Sequence, residues 1–385
     1  KIIILKDIYE IKIKIMKSIT YIFSGGRKKN FESGTYLAKE FYYGITNLSE
    51  SKYKINIIEF DNSKTKFSNY LNFQDRVLSK ILSLPISFSK VVSVRNFKVL
   101  LKTDELVLIN EGVALSTLPL LIVVKLFKKM RISVFVMGLY SKRINYNLIK
   151  FLHNLMIKTL VLFVDNVFFL GHGELEKAKN FHKSSKKLIY FPFSVDTDFW
   201  TKDSKLNSKD NKTILFVGND GNRDAELLKQ IATVMEDFDF TVVSKLQQFQ
   251  NLNYKNVTVF NGSWGDKIID DIKLREIYNE ALLVVIPLKE SSQPSGQSVA
   301  LQAMSMGLPV LVSQTQGLWD KEHLKNGENI FLVQPNTVSE WVSKIQMLKN
   351  DKTLLDTVAK NGEKTVRTYF NLSNFQNQLY QYIDE

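Results

Sequence analysis

Three strand-to-helix joins in this chain combine glycine, small hydroxyl residues and a nearby cation, a set suited to holding a pyrophosphate. The richest is Pro287-Leu-Lys-Glu290-Ser-Ser-Gln293-Pro-Ser295-Gly296-Gln-Ser298, which leaves an apolar strand and enters a helix. The first backbone N–H groups of a helix have no intrahelical partner, and Gly296 would let a ligand approach them closely. Ser295 or Ser298 has the side chain to cap that helix. A second join is Val217-Gly218-Asn219-Asp220-Gly221-Asn222-Arg223-Asp224 and a third is Phe23-Ser24-Gly25-Gly26-Arg27-Lys28-Lys29-Asn30. Both put glycines at a strand end with an arginine close by. Neither has G-x-G-x-x-G spacing, so a nicotinamide-dependent enzyme is poorly supported. Arg223 offers a planar fork for two phosphate oxygens, and Lys245, just past a predicted strand, supplies a second cation. Cysteine is absent, the four histidines (His153, His172, His182, His323) are scattered, and no convincing Asp-x-Asp pair is present. No metal is therefore expected, and the charge must be met by side chains and helix N-termini.

Positioning such loops requires a parallel sheet, whose ligands sit outside the carboxyl ends of its strands. Short β-branched runs alternate with longer amphipathic segments along the whole chain, the pattern of βαβ units. In the first half it predicts strands at 18–23, 53–59, 106–110, 132–137, 159–164 and 187–190. Helices are expected at 34–43, 75–84, 117–129, 144–156 and 173–180, with a polar loop over 61–72. The runs at 1–5 and 11–16 are strand-like, and too charged and short for a signal peptide. Beyond a polar, aperiodic stretch the pattern restarts, with strands at 213–218, 241–244, 257–260, 282–287, 310–313 and 330–333. The helices between and after them fall at 223–235, 273–280, 298–306, 338–348 and 351–360. Gly307 stands where a helix C′ residue needs left-handed φ, and Pro309 stops the helix. The expected class is α/β, with two facing Rossmann-like doubly wound domains and a cleft between them. Their bounds are read as 1–195 and 213–368, with a linker at 196–212. A closing helix at 369–385 is expected to pack back on the first domain. Glu111 and His172 are expected to face the cleft.

Charge divides along the same line. Up to Tyr190 the chain holds 32 Lys and Arg against 14 Asp and Glu, and beyond it 20 against 25, within an overall +13. The basic half calls for an anionic partner: a lipid surface, a phosphate-bearing acceptor or a nucleic acid. Arginine is scarce there and no zinc-finger, RNP or basic-zipper pattern is present, which argues against nucleic acid. The apolar run 112–124 is too short to span a bilayer. It leads into Lys125-Leu-Phe-Lys128-Lys129-Met-Arg131, either an interfacial helix or an ordinary sheet-covering one. The cysteine-free composition is that of a cytosolic protein, with peripheral attachment to the inner face of the cell membrane as an option.

Residues 280–335 resemble the glycosyl transferases group 1 family, which has the glycosyltransferase-B fold. The resemblance rests on Gln302-Ala-Met-Ser-Met-Gly307-Leu-Pro-Val310 followed by Thr315-Gln-Gly317, where the family shows Glu-Ala-Met-x-x-Gly-x-Pro-Val and a glycine loop. Phe191-Pro-Phe-Ser-Val-Asp196-Thr-Asp-Phe-Trp200, the Gly218–Asp224 turn and Lys325-Asn-Gly327-Glu-Asn-Ile-Phe-Leu-Val333 look like further family segments, in the family's order. The likeness implies a retaining, metal-independent transferase that takes a sugar from a nucleoside diphosphate and delivers it to a glycan or lipid-linked acceptor. Synthesis of cell-surface polysaccharide or lipopolysaccharide is the implied setting. Arg223, Lys245 and Glu290 would then be catalytic. Gly25, Gly26, Gly218, Asn219, Gln293, Ser295 and Gly296 would line the nucleotide sugar, with Gln302 at the ribose and Thr315 and Gly317 at the adjoining edge. The chain departs from the family at its two motif glutamates: the second is Gln302, and Glu290, Gln293 or Ser295 could stand in for the first. A non-catalytic nucleotide-sugar or glycan-binding protein of the same fold, or a nucleotide-sugar epimerase, are the alternatives.

Overall fold

The computed structural model describes residues 16–48, 52–61, 66–142, 144–183, 185–202, 212–250, 252, 254–262 and 269–384. The strand-like run at 1–5, nearly all of that at 11–16, and residues 203–211 of the expected linker lie outside them. Contacts divide the chain into two compact units. One holds the described residues up to 35 with 42–168 and 185–189; the other holds 36–41, 169–184 and those from 190 onward.

The first sheet contains β1 (Lys17–Phe23), β2 (Tyr53–Glu59), β3 (Glu105–Leu108), β4 (Arg131–Val136), β5 (Asn166–Phe169) and β6 (Leu188–Tyr190). Their order is β2-β1-β3-β4-β5-β6, and β1 runs parallel to both β2 and β3. The helices of this half are α1 (Lys28–Ser33), α2 (Lys66–Leu82), α3 (Val94–Leu100), α4 (Glu111–Phe127) and α5 (Asn147–Phe163), and α6 (His172–His182) follows in the second unit. The second sheet contains β7 (Thr213–Val217), β8 (Asp239–Val243), β9 (Val257–Phe260), β10 (Leu283–Ile286), β11 (Val310–Ser313) and β12 (Phe331–Val333). Around it lie α7 (Ala225–Val234), α8 (Asp271–Asn279), α9 (Gln297–Ser305), α10 (Val338–Asn350), α11 (Lys352–Tyr369) and α12 (Leu372–Asp384). Its order is β12-β11-β10-β7-β8-β9, with every adjacent pair parallel. Each half is thus a Rossmann-like α/β lobe. Chain order reverses between β1 and β3 in one sheet and between β7 and β10 in the other, and at such points the carboxyl-end loops diverge to leave a crevice.

Burial explains the composition of the strands. Every residue of Leu283-Val-Val-Ile286 and Val310-Leu-Val-Ser313 is buried, as expected of parallel strands covered on both faces. Helix α10 presents Trp341, Ile345 and Leu348 to the same core at helical spacing. Helix α9 ends as predicted: Gly307 has φ +65°, its N–H donates to the Met304 carbonyl, and the Leu308 N–H donates to that of Ala303. This is a Schellman motif. The closing helix α12 meets residues 190–195, with Phe375 set edge-on to Phe191 at 4.8 Å and Gln378 Nε2 donating to the Tyr190 carbonyl.

Three of the expected elements differ in the structure. Residues 159–164 are not a strand, because α5 continues to Phe163, burying His153, Ile157, Leu160 and Val161 at helical spacing; the strand is Asn166–Phe169. A short apolar run carries no periodicity of its own to separate the two. Residues 34–43 are not an α-helix. Gly34, with φ +65°, caps α1, and the chain beyond it is irregular up to a single 3₁₀ turn at Glu40–Tyr42. The polar stretch 61–72 is not all loop, since α2 begins at Lys66.

Trp341 is fully buried and donates its indole N–H to Asn336 Oδ1 at 2.9 Å. Trp341→Ala should lower unfolding free energy by about 3–5 kcal/mol in urea denaturation. A loss below about 1 kcal/mol would contradict the packing described.

Candidate functional site

Because β7 and β10 are neighbours, the loops leaving them, 218–224 and 287–296, lie together despite their separation in sequence. Backbone contacts join them. Arg223 bridges Leu288, the Asp224 N–H donates to the Pro287 carbonyl at 2.9 Å, and the Lys289 N–H donates to that of Asn222 at 2.8 Å. Helix α7 begins only at Ala225, with Asp224 as its N-cap, so Arg223 sits in the turn and not on the helix surface. Its side chain lies inward, 5% exposed.

The guanidinium threads between two glycines. A Cβ on Gly218 would stand 2.0 Å from Arg223 Nε, and one on Gly296 would stand 2.8 Å from Nη1 and 2.6 Å from Ile286 Cγ2. Gly296 also has φ +81°, where any other residue is strained. Both glycines therefore admit the arginine before they admit anything else. Asp220 is its carboxylate partner, Nη2 to Oδ2 at 3.5 Å, whereas Nε and Nη1 are buried without an acceptor. Burial holds the guanidinium pKa below its ordinary value, with Asp220 opposing. Arginine remains charged even so. A buried cation with two open donors is costly, and an anion placed against it would remove that cost.

Side chains around the guanidinium are held by one another. Asn222 Nδ2 donates to Gln293 Oε1 at 3.0 Å and to Ser295 Oγ at 2.8 Å. Ser244 Oγ donates to the Gly218 carbonyl, and the Lys245 N–H donates to Asn219 Oδ1, while the Lys245 side chain is exposed. Neither Ser295 nor Ser298 caps α9; its N-cap is Gly296, with no side-chain bond. The structure thus brings together Gly218, Asn219, Arg223, Lys245, Gln293, Ser295 and Gly296.

A second layer supports the 290–296 loop. A Cβ on Gly317 would stand 2.1 Å from the Gln293 carbonyl oxygen, one on Gly173 1.9 Å from that of Gln316, and one on Gly171 2.9 Å from Pro294. Three backbones therefore pack at distances that only glycine allows. Glu290 is exposed and accepts from the Gln316 N–H at 3.0 Å, and Thr315 Oγ1 accepts from the Gly317 N–H. The His172 ring stacks on Tyr190 at 3.8 Å, and its backbone N–H donates to the Trp319 carbonyl. Ser292 Oγ and Trp319 Nε1 are buried without partners, two further donors that the sequence did not mark.

Gln302 is 3% exposed, and both ends of its amide are engaged: Nε2 donates to Glu40 Oε1 at 2.8 Å, and Oε1 accepts from the Tyr278 hydroxyl at 3.2 Å. Glu40 also accepts from Trp200 Nε1 at 2.7 Å. Burial raises its pKa to about 7 against the lowering effect of the Gln302 and Trp200 bonds. Sequence reasoning missed Glu40 by placing it in a helix; no motif marks it. In the first unit, Gly25 and Gly26 follow β1 with φ +147° and +78°. Glu111 opens α4 and accepts from the Met137 N–H at 3.0 Å, its pKa raised by burial. Among the described residues no group of three or more acidic or histidine side chains could hold a metal ion, and no helix is long and apolar enough to cross a membrane.

Comparison with known proteins bears on the same stretch. Residues 211–351 match the model of the family described as glycosyl transferases group 1. A curated relative, the capsular polysaccharide biosynthesis glycosyltransferase CapM of Staphylococcus aureus, is 29% identical over 93 residues, which are 24% of this chain and 23% of that protein. The match thus spans about a quarter of either chain. The crystal structure of Anabaena HepE in complex with UDP is similar over 96% of this chain and 100% of its own, with TM-score 0.65 and 12% identity. Sucrose-phosphate synthase of Thermosynechococcus elongatus is similar over 96% and 98%, with TM-score 0.65 and 16% identity. The shared fold is the glycosyltransferase-B architecture of two Rossmann-like lobes.

Glu40 gives the site a measurable pH signature. Between the ordinary carboxyl value of 4.5 and the native value of about 7, the folded protein holds a proton at Glu40 that the unfolded chain has released. Stability from this group is therefore present at low pH and is lost as pH rises through that window, by about 3 kcal/mol. Glu40→Gln removes the titration. The stability of wild type relative to this variant should fall by that order between pH 4.5 and 7 in denaturant titrations, and a pH-independent difference would refute the assignment.

Proposed function

We propose that the chain is a glycosyltransferase that moves a sugar from a nucleoside diphosphate to a glycan or lipid-linked acceptor in the making of cell-surface polysaccharide. The observation that carries this reading is the buried Arg223 guanidinium, with two donors open, at the reversal point of the second sheet. Breaking the sugar–phosphate bond builds negative charge on the departing diphosphate, and a preorganised cation in a water-poor site lowers the energy of that transition state. In this reading Arg223 takes the diphosphate through Nε and Nη1, and Lys245 reaches it from the exposed side. The amides near Ser295 and Gly296 complete the cradle, and Gly218 and Asn219 line it. The Gln293 amide and Glu290 stand at the sugar, and Thr315 and Gly317 at the nucleoside edge. Gln302 acts from behind, through Tyr278 and Glu40, because its amide is already engaged. Gly25 and Gly26 are further nucleotide-sugar contacts in this reading, and the positive charge of the first unit suits a phosphate-bearing acceptor. The likeness to group 1 transferases supports retention at the anomeric carbon and a donor held by the protein's own cations.

A binding protein of the same fold is the second reading, favoured by the inward-facing Gln302 where the family carries a glutamate. Isothermal titration with nucleoside diphosphates, followed by product analysis with nucleotide sugars, separates the two. A transferase binds a diphosphate, releases it from one nucleotide sugar with an acceptor present, and gives a product whose anomeric proton signals retention. Tight diphosphate binding with no turnover on any acceptor would favour the binding protein. Arg223→Ala should cost roughly a hundred- to a thousandfold in kcat, or about 3–4 kcal/mol. A variant within about threefold of wild type would remove Arg223 from the mechanism.

A further inference from the structure

The first unit carries a second cationic feature, at the opposite end of its sheet from the Gly25–Gly26 turn. Ser18 and Lys54 lie at the amino ends of β1 and β2, and there a cavity of about 520 Å³ opens against α3. It is lined by Ser18, Lys54, Asn56, Arg95, Lys98 and Lys102, with Val94 and Val99. Four of these are cations and none is an acid. Arg95, Lys98 and Lys102 recur at helical spacing along α3 and the turn after it, so their charges gather on one side.

Nearby carboxylates do not neutralise them. Asp104 is bonded to Lys128 Nζ at 2.8 Å and to the Ser18 N–H, and it is held below the usual carboxylate range against the effect of burial. Glu105 is taken by Lys17 at 2.9 Å and by Arg131 at 3.8 Å. The acids at this end of the sheet are thus committed to Lys17, Lys128 and Arg131. Lys54, Arg95, Lys98 and Lys102 are left facing the cavity.

The surroundings favour one source for an anion there. Val94 is 71% exposed beside the cavity, and Phe97 of the same helix meets Phe127 at the end of α4, ring centroids 6.4 Å apart. Leu126 and Phe127 are 77% and 72% exposed, and Lys129 beside them is exposed as well. Leu121, Val124 and Met130 of the same region are buried, so Leu126 and Phe127 lie on the outward side of this segment. Free phosphate has no use for exposed apolar neighbours. A phospholipid surface has both parts, a phosphate for the cations and acyl chains for Val94, Leu126 and Phe127.

We infer that the cavity lined by Lys54, Arg95, Lys98 and Lys102, with exposed Val94 at its edge and exposed Leu126 and Phe127 at the nearby end of α4, is a docking site for the headgroup phosphates of an anionic membrane. This deepens the part of the functional reading that gives the basic lobe an anionic partner, and it does not depend on sugar transfer.

The test is co-sedimentation of the full chain with phosphatidylglycerol-containing vesicles and with pure phosphatidylcholine vesicles, at low and at physiological salt. Wild type should bind the anionic vesicles, lose affinity as salt rises, and ignore the neutral ones. Arg95→Glu/Lys98→Glu/Lys102→Glu should weaken binding on the order of a hundredfold, the effect of removing three basic residues at an anionic surface. A control with equal charge change on exposed α11 residues of the other unit, Lys352→Glu/Lys360→Glu/Lys364→Glu, should stay within about threefold. Lys98→Gln/Lys102→Gln, a milder change that keeps helix-forming residues, should weaken binding in the same direction if the triple variant is unstable. Equal losses in site and control variants would overturn the assignment, as would wild-type binding to both vesicle types. Saturable binding of inorganic phosphate with no vesicle binding would make it a free-anion site and overturn the membrane reading. Diphosphate titration of the site variants keeps the two readings apart: an unchanged diphosphate affinity with vesicle binding lost is the expected pattern, whereas failure of the transferase reading leaves vesicle binding intact.

Discussion

The arrangement of the second unit depends on one buried, under-neutralised positive charge. Arg223 lies within van der Waals reach of two glycines, has one carboxylate at 3.5 Å, and keeps Nε and Nη1 without acceptors. An isolated buried charge is among the most expensive features a protein can carry, and folded proteins keep one where a ligand or partner completes it. Much of the surrounding sequence serves to make room for that group. Gly218 and Gly296 lack a Cβ where one would strike the guanidinium, and Asn222 ties Gln293 and Ser295 beside it. The turn is fastened to Pro287, Leu288 and Lys289 through the backbone.

Rigidity follows from the same close packing. Gly171, Gly173 and Gly317 allow three stretches of backbone to approach at distances no side chain would permit, so the 290–296 loop has little freedom to move. Such preorganisation matters because a donor aimed at developing charge helps only if it need not reorient during the reaction. Behind the loop, Tyr278, Gln302, Glu40 and Trp200 form a fully buried hydrogen-bonded chain. A neutral amide at position 302 suits a position where one end faces a hydroxyl donor and the other a carboxylate; a second carboxylate there would oppose Glu40 at hydrogen-bond distance.

The basic character of the first unit is likewise organised and not diffuse. Asp104, Glu105 and Asp165, at the amino ends of its strands, pair with Lys17, Lys128, Arg131 and Lys125, and the cations along α3 are exposed at that end of the sheet. The two lobes therefore differ in the kind of positive charge they hold. One buries a single arginine between loops, and the other gathers several solvated side chains around an open cavity.

Class and repeating plan were determined by sequence alone, because side-chain periodicity is a local property. The strands at 53–59 and 310–313 fall where the alternation placed them, and Gly307 ends α9 because left-handed φ there is a local demand. The glycine and arginine turns were legible for the same reason: a turn's chemistry is written in adjacent residues. Tertiary structure decided what those residues face. Motif position alone puts Gln302 at a ligand; the structure sets its amide against Glu40, from a segment with no helical or strand pattern. The run at 159–164 became helix because of the surface it packs on, and the serines expected to cap α9 gave way to a glycine that leaves space for Arg223. Burial and hydrogen-bond partners depend on residues far away in the chain, and strand order decides which of them meet.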